Sequence, residues 1–485
     1  MAAAMNRRDL LKAASGACAA GIAGGPLASV LAPAAAAPAK RRPNLLFLFT
    51  DDQRFDTIGA LNNPAVQTPN LDRLVRRGTA FTHTYIQGST SGAVCICSRA
   101  QLLCGRSLFR SPYRPPESLP IWPEVFRKAG YVTFGTGKWH NGPPAYARSF
   151  THGGNIFFGG MSNHRKVPVH DFDPTGKYPR SGRRAGKGFS SNLFSDAAIE
   201  FLRRYQDDKP FFAYVSYTAP HDPRMAPERY AAMYPPEKVA LPANFLPRHP
   251  FDNGELRIRD EKLAPFPRTP AVVRKHIAAY YAMITHVDGQ IGRVLKALEE
   301  AGHADNTLVI FSGDNGLAVG QHGLMGKQNL YEHSVRVPLI FAGPGIPAGK
   351  RIDALSYLHE VFASTCQLAG VPVPKTVESR SLVALLTGRN GPARDSIFGA
   401  YKGLQRMVRD RRWKLIRYPR AGKTQLFDLQ SDPWETKDLA GDPEHAQRIG
   451  RLNALLRKWQ KAVGDTLDVD DPRGAAGGVP RKAKG

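Results

Sequence analysis

Apolar runs of strand length recur along this chain, and most of them end at once in charged or amide side chains. The run Asn44-Leu45-Leu46-Phe47-Leu48-Phe49-Thr50 has no polar alternation, which predicts a strand buried on both faces, and it passes directly into Asp51-Asp52. Residues 211–217 and 307–311 have the same character, the second running through Ser312-Gly313 into Asp314-Asn315, and 337–342 form one more such run. Shorter strands are expected at 79–86 and 131–134. Between them lie segments of helical period: 69–77, entered through Thr68-Pro69 as cap and first helical residue and closed by Gly78; about 119–128, closed by Gly130; 194–205; and a long one at roughly 271–301. Strands alternating with helices predict an α/β fold with a large, mostly parallel sheet flanked by helices. Binding sites in such sheets form at the carboxyl ends of the strands. Asp51, Asp52, Lys138, His140, His221, Asp314 and Asn315 all follow strand segments and are expected to meet at one sheet edge.

Past residue 375 the pattern changes to short strands at 396–401, 404–409, 413–418 and 425–429 with close turns. They predict a smaller C-terminal antiparallel sheet, followed by a helix at 443–463 with Leu452, Leu455, Leu456 and Trp459 on one face. The expected organisation is a main α/β domain over 43–374, a C-terminal subdomain over 375–466 and a Gly-rich basic tail over 467–485 that is disordered. Two loop-rich stretches, 141–190 and 219–270, are heavy in Pro, Arg and His and are candidates for surfaces that face a substrate.

With 67 basic and 41 acidic residues the chain carries a formal charge of +26, which suits a polyanionic ligand. Zinc-finger spacing and interleaved basic and aromatic residues are absent, so nucleic acid is not the expected partner; a sulfated polymer fits the charge equally well. At the N-terminus, Asn6-Arg7-Arg8-Asp9-Leu10-Leu11-Lys12 precedes a weakly apolar Ala/Gly-rich run at 13–31 and small residues at 32–37. This resembles a Tat export signal over residues 1–37 and implies a periplasmic or secreted protein that is not integral to a membrane once the signal is removed. Five cysteines are too few for a disulfide scaffold of this size, and Cys18 falls in the signal, leaving Cys95, Cys97, Cys104 and Cys366.

Asp51-Asp52 and Asp314-Asn315 are hard oxygen donors that favour Ca²⁺ or Mg²⁺ over softer metals. Either pair alone would serve as well to cap a helix or start a turn. The segment Cys95-Ile96-Cys97-Ser98-Arg99, continued by Ala100-Gln101-Leu102-Leu103-Cys104-Gly105-Arg106, resembles the sulfatase signature Cys-x-Pro-x-Arg. The resemblance extends along the chain through Thr68-Pro69-Asn70-Leu71-Asp72, Gly137-Lys138-Trp139-His140, Pro220-His221-Asp222-Pro223, Gly326-Lys327-Gln328-Asn329-Leu330-Tyr331-Glu332 and Gln425-Leu426-Phe427-Asp428-Leu429. It implies a formylglycine-dependent sulfatase of the alkaline-phosphatase-like superfamily.

What the resemblance implies for the site is specific. Cys95 is oxidised to formylglycine by a formylglycine-generating enzyme or a radical-type maturase. The aldehyde is hydrated, one hydroxyl attacks sulfur, and the other expels sulfate and restores the aldehyde. Asp51, Asp52, Asp314 and Asn315, with the modified residue 95, hold Ca²⁺, Mg²⁺ being the lesser candidate. Arg99 positions these groups, Lys138 and Lys327 grip sulfate oxygens, His140 is the base on the second hydroxyl, and His221, with Lys327, protonates the leaving oxygen. Arg224, His322, His333 and Arg336 lie near the motifs and are expected to be structural. The sequence departs from the signature at Cys97, where the family has Pro, which bears on which enzyme matures Cys95. Rival readings of Cys95 and Cys97 are a redox dithiol or, with Cys104, a thiolate metal site, though the spacing suits neither. The substrate expected is a sulfated carbohydrate or a small sulfate ester. Alternatives are a phosphoric or phosphonate ester hydrolase of the same superfamily and a catalytically silent protein that binds sulfated glycan.

Overall fold

Alternate residues of the first strand go to opposite faces of the sheet. Leu45, Phe47 and Phe49 pack with Trp122, Phe126 and Tyr214, while Leu46 and Leu48 pack with Met283, Val287 and Ile291 of a long helix. All are buried, each contributing roughly 1.5–3 kcal/mol by leaving water. In this computed structural model, residues 41–389, 391 and 393–471 are described; the expected export segment at 1–37 lies outside them. The strands are β1 (Asn44–Thr50), β2 (Gly78–Tyr85), β3 (Gly88–Ser89), β4 (Val132–Lys138), β5 (His152–Phe157), β6 (Pro168–Val169), β7 (Arg184–Ala185), β8 (Phe211–Ser216), β9 (Thr307–Gly313), β10 (Arg336–Ala342), β11 (Lys350–Ile352), β12 (Ser356–Tyr357), β13 (Ile397–Tyr401), β14 (Gln405–Arg409), β15 (Trp413–Tyr418) and β16 (Lys423–Asp428). The large sheet has the order β11-β2-β10-β9-β1-β8-β4-β5, with β12 beside β2. Its pairings are parallel except those of β10, which runs against both β2 and β9. The fold is the α/β class expected, with the long helix Pro270–Glu300 and the helices Pro69–Arg77 and Ser190–Arg204 on one face.

Two local expectations are corrected by the structure. Thr68 stands at the N-cap of Pro69–Arg77, but its side chain does not cap the helix. Its hydroxyl instead accepts from Gly59 N–H and donates to Asp72, and the open amides of Asn70 and Leu71 are met by the buried Asp288 carboxylate of the long helix, at 3.2 and 2.8 Å. A tertiary carboxylate has taken over a local cap. The strand expected at 131–134 runs on to Lys138, so Lys138 ends the strand rather than following it. Gly135 and Gly137 hid this extension, because glycine weakens strand propensity. Gly137 is there for space: its φ is +84°, and an added Cβ would run into the carbonyl oxygen of Ser216.

The smaller sheet, β16-β15-β14-β13-β3, is antiparallel from β13 to β16. Its fifth strand is Gly88–Ser89, from the segment just before Cys95, paired parallel to β13. Gly88 has φ +83°, and a side chain there would strike the carbonyl oxygen of Ala400. The helix Ala446–Val463 covers this sheet with Leu452 and Leu456. Val469 is buried against the same cluster and Asp470 pairs with Arg417 at 2.8 Å, so the packed chain continues past residue 466. Among the described residues no helix is long and apolar enough to cross a membrane.

Candidate active site

Four neighbouring parallel strands, β9, β1, β8 and β4, end at nearly the same level. Thr50 is in register with Gly313, and Ser216 with both Phe49 and Gly137. The residues that follow are therefore brought together at one edge: Asp51 and Asp52 after β1, Asp314 and Asn315 after β9, Lys138 and His140 at the end of β4, and His221 beyond β8. The helix Val94–Cys104 sets Cys95, in its first turn, over this edge. Arg99, one turn further on, ties that helix to three strand ends. Its Nε donates to Asp314 at 2.8 Å, and its Nη1 donates to Lys138 O at 2.9 Å and to Ser216 Oγ at 2.8 Å. The guanidinium lies over the Phe49 ring, and its Nη2 has no partner.

Around the Cys95 sulfur, Lys138 Nζ lies at 3.4 Å and His140 Nδ1 at 3.5 Å. Lys138 is ion-paired with Asp51, and Lys327 with Asp52 at 2.6 Å. Asp52 also accepts from Asn315 Nδ2 at 2.6 Å and faces His221 Nε2 at 3.5 Å, and its backbone amide donates to Asp314 at 3.0 Å. Burial and the neighbouring Asp314 push the Asp51 carboxyl well above the usual range, against Lys138. At Asp52 burial works in the same direction, but His221, Lys327 and Lys138 overcome it and hold that carboxylate low. Burial and then Lys138, Arg99 and Lys327 drive His140 down to about 2. Burial lowers His221 to about 4, with Asp52 opposing and Lys327 assisting. Both imidazoles are neutral at neutral pH.

The donor set fits a hard divalent cation. Asp51 Oδ1 and Asn315 Oδ1 are buried and lack any hydrogen-bond partner, a costly arrangement unless a cation meets them. Asp51, Cys95 and Asp314 offer ligand atoms within 4.8 Å of one another, as do Asp51, Asp52 and His221.

Above the metal-type cluster opens a cleft of about 320 Å³, lined by Cys95, His140, His221 and Lys327 and, at its walls, Met161, Glu255, Arg259, Asp260, Gln328 and Lys402. The stretches 141–190 and 219–270 each contribute to it. Arg259, Glu255 and Lys402 carry no motif and were not legible in the sequence; Ser216 was findable, as the polar residue closing an apolar strand. Lys138 is fully buried beneath Cys95 and does not line the cleft. Nor do Arg224, which meets His276 at 2.8 Å, Arg336, which lies over Phe55, or His322 and His333, which lie against Tyr331. Cys97 is two residues from Cys95 on a helix and so faces away from it. Its sulfur accepts from Ser89 Oγ at 2.9 Å, and all four described cysteines are free. That geometry gives no support to a Cys95–Cys97 dithiol.

A family model described as Sulfatase matches residues 43–371. The chain belongs to the sulfatase family. A second model, described as N-sulphoglucosamine sulphohydrolase, C-terminal, matches residues 320–462. This sulfatase is 29% identical over 462 residues to an arylsulfatase of Clostridium perfringens, covering 86% of this chain and 94% of the relative. It is 26% identical to an N-acetylglucosamine-6-O-sulfatase of Bacteroides thetaiotaomicron, over 92% of this chain and 91% of that one. Among solved structures, one in complex with its substrate D-glucosamine-2-N,6-O-disulfate superposes with a TM-score of 0.75 at 24% identity, covering 89% of this chain and 99% of the other. A phosphonate monoester hydrolase of Agrobacterium radiobacter superposes with a TM-score of 0.70 at 23% identity, covering 87% and 96%. At these identities the two superpositions speak to the fold.

Proposed function

We propose that this sulfatase releases sulfate from a sulfated carbohydrate, using an aldehyde made from Cys95 and a bound Ca²⁺. The observation that carries the carbohydrate reading is the cleft over Cys95. Its walls present Glu255, Arg259, Asp260, Gln328 and Lys402, groups that can hydrogen-bond sugar hydroxyls, beside apolar surface from Ala93, Met161 and Ile258 on which a sugar ring can lie. The names of relatives that act on amino-sugar sulfates point the same way. Export by the Tat route, read from Arg7-Arg8, and maturation by a formylglycine-forming enzyme belong to the same reading.

The residues present divide the work as follows. Burial holds the Cys95 thiol above its ordinary value in spite of Lys138 and Lys327, so an unmodified thiol stays protonated and is a poor nucleophile. Once water has added to it, the aldehyde would supply the hydroxyl nucleophile that this thiol does not. Asp51, Asp52, Asp314 and Asn315 would hold the Ca²⁺, which supplies Lewis-acid stabilisation of charge on sulfuryl oxygens. Lys327 faces the cleft and adds a fixed cation for the sulfate, while Lys138 fixes Asp51 and the floor beneath residue 95. Neutral His140, with Nδ1 toward residue 95, is placed to take a proton. His221 donates Nδ1–H to Asp222 O at 2.8 Å, which leaves Nε2 as the nitrogen that carries the exchangeable proton to the leaving oxygen. Substrate sulfate adds negative charge beside it and raises its affinity for that proton.

The test is the mass of the tryptic peptide 78–99 from active enzyme, together with rates on N-acetylglucosamine 6-sulfate and phenylphosphonate esters. An aldehyde at residue 95 and faster sulfate release are expected. An unmodified thiol in fully active protein would remove the proposed nucleophile, and a preference for phosphonate would move the chain to that chemistry. For the cation, EGTA is expected to abolish activity and lower the melting temperature. Ca²⁺ at about one hundred times its Kd should restore about 2.7 kcal/mol of stability, but not in Asp51→Asn. Identical melting with and without Ca²⁺ would argue against a cation at these residues.

A further inference from the structure

At the far end of the helix that carries Cys95 lies a second cavity, of about 470 Å³, which the reaction does not use. That helix has 11 residues, so about 16 Å of helix separates its two ends. The cavity sits in the seam between Ser107 and Arg110, just past the helix, the 378–380 segment, residues 394–396 and the helix Ala446–Val463. Its chemistry is basic and aromatic. Tyr357 and His359 are stacked, with centroids 5.0 Å apart, and Trp459, hydrogen-bonded to Ser396 at 2.9 Å and stacked on Phe398, lines the same space. Buried His359 lines the cavity, and its imidazole has no hydrogen-bond partner among the described residues.

The charges do not cancel. Glu378 is held between Arg106 at 3.3 Å and Arg110 at 3.0 Å, and Arg394 is paired with Glu360. The side chains of Arg380 and Lys458 line the cavity with no ion-pair or hydrogen-bond partner among the described residues, against one further acid, Asp395. An excess of guanidinium and ammonium groups suits an anionic sugar, giving charge-assisted hydrogen bonds to its sulfate or carboxylate, while the partly exposed ring of Trp459, backed by buried Tyr357 and His359, offers apolar contact to the sugar ring.

We propose that this cavity is a second binding site for an anionic oligosaccharide, which tethers a sulfated polymer while another of its units occupies the cleft over Cys95. The tethering role rests on the carbohydrate-sulfatase reading; the binding itself does not. Arg380 and Lys458 are exposed, so R380A/K458A removes the two unpaired cations without disturbing the core.

Binding of a heparin hexasaccharide is measured by titration calorimetry on Cys95→Ala protein, where no turnover occurs. A single binding event that spans both sites is expected, weakened at least about tenfold by R380A/K458A. In catalytically intact enzyme the same pair should raise KM for the hexasaccharide and leave kcat/KM for 4-nitrophenyl sulfate unchanged. Unchanged hexasaccharide binding in R380A/K458A would overturn the proposal. So would equal binding of a neutral dextran oligosaccharide, or of a DNA oligonucleotide of equal charge, since the cavity would then not select an anionic sugar. An enzyme that desulfates no carbohydrate, yet loses hexasaccharide binding in R380A/K458A, would sink the substrate reading and leave this site standing.

Discussion

Cys95→Ala is expected to lower kcat on 4-nitrophenyl sulfate by a factor on the order of 10⁴ or more, the scale seen when a nucleophile is removed from an otherwise intact site, with the fold retained. The argument for retention is local. Residue 95 sits in the first turn of a helix, where Ala is favourable, and the ion pairs Lys138–Asp51 and Lys327–Asp52 do not pass through the sulfur. The argument for loss is that no other side chain lies at the sulfur's position between Lys138 and His140. Cys97→Ala is the contrast. Cys97 faces Ser89 and the core of the smaller sheet, so its removal should cost about 1–2 kcal/mol of stability and leave a matured enzyme's kcat nearly intact. Circular dichroism and urea midpoints would separate the two effects. Full activity in Cys95→Ala, or a dead but well-folded Cys97→Ala carrying the aldehyde at residue 95, would reverse the roles assigned here.

Much of the site could be read from the chain because its residues lie where strands stop. Asp51-Asp52 and Asp314-Asn315 follow apolar runs whose lengths are fixed by burial on both faces, and parallel pairing in register then brings the two pairs level. His221 could be placed by the same reasoning. Three things could not be read. The true end of the strand carrying Lys138 was obscured by Gly135 and Gly137, residues chosen for close contact with Phe150 and Ser216 rather than for strand propensity. The cap of the helix Pro69–Arg77 comes from Asp288, more than 200 residues away, and no local pattern signals it. The smaller sheet borrows Gly88–Ser89 from the segment before Cys95, so the C-terminal strands brace the approach to Cys95. A two-residue strand has no periodicity to detect. The walls of the cleft, Glu255, Arg259 and Lys402, were hidden for a related reason: charged residues in loops look alike until the fold decides which of them face inward.

Arg99→Ala is expected to be the most damaging substitution for stability in the site, lowering it by about 3–5 kcal/mol and abolishing activity with it. Arg99 is wholly buried, and so is its partner Asp314. Without the guanidinium, Asp314 would be a buried carboxylate beside Asp51 and Asp52 with one cation fewer, and Lys138 O and Ser216 Oγ would each lose a donor. Arg99→Lys isolates the geometric part. A lysine keeps the charge near Asp314, but a single ammonium on a flexible stem does not reproduce a planar fork that meets three acceptors at once. Its urea midpoint should fall between those of wild type and Arg99→Ala, and its activity should stay low, because the helix that carries residue 95 would no longer be tied to the ends of β4, β8 and β9 together. If Arg99→Lys recovered both stability and activity, charge alone would account for this residue. If Arg99→Ala unfolded at the wild-type urea midpoint, the link drawn here between the Cys95 helix and the strand ends would be wrong.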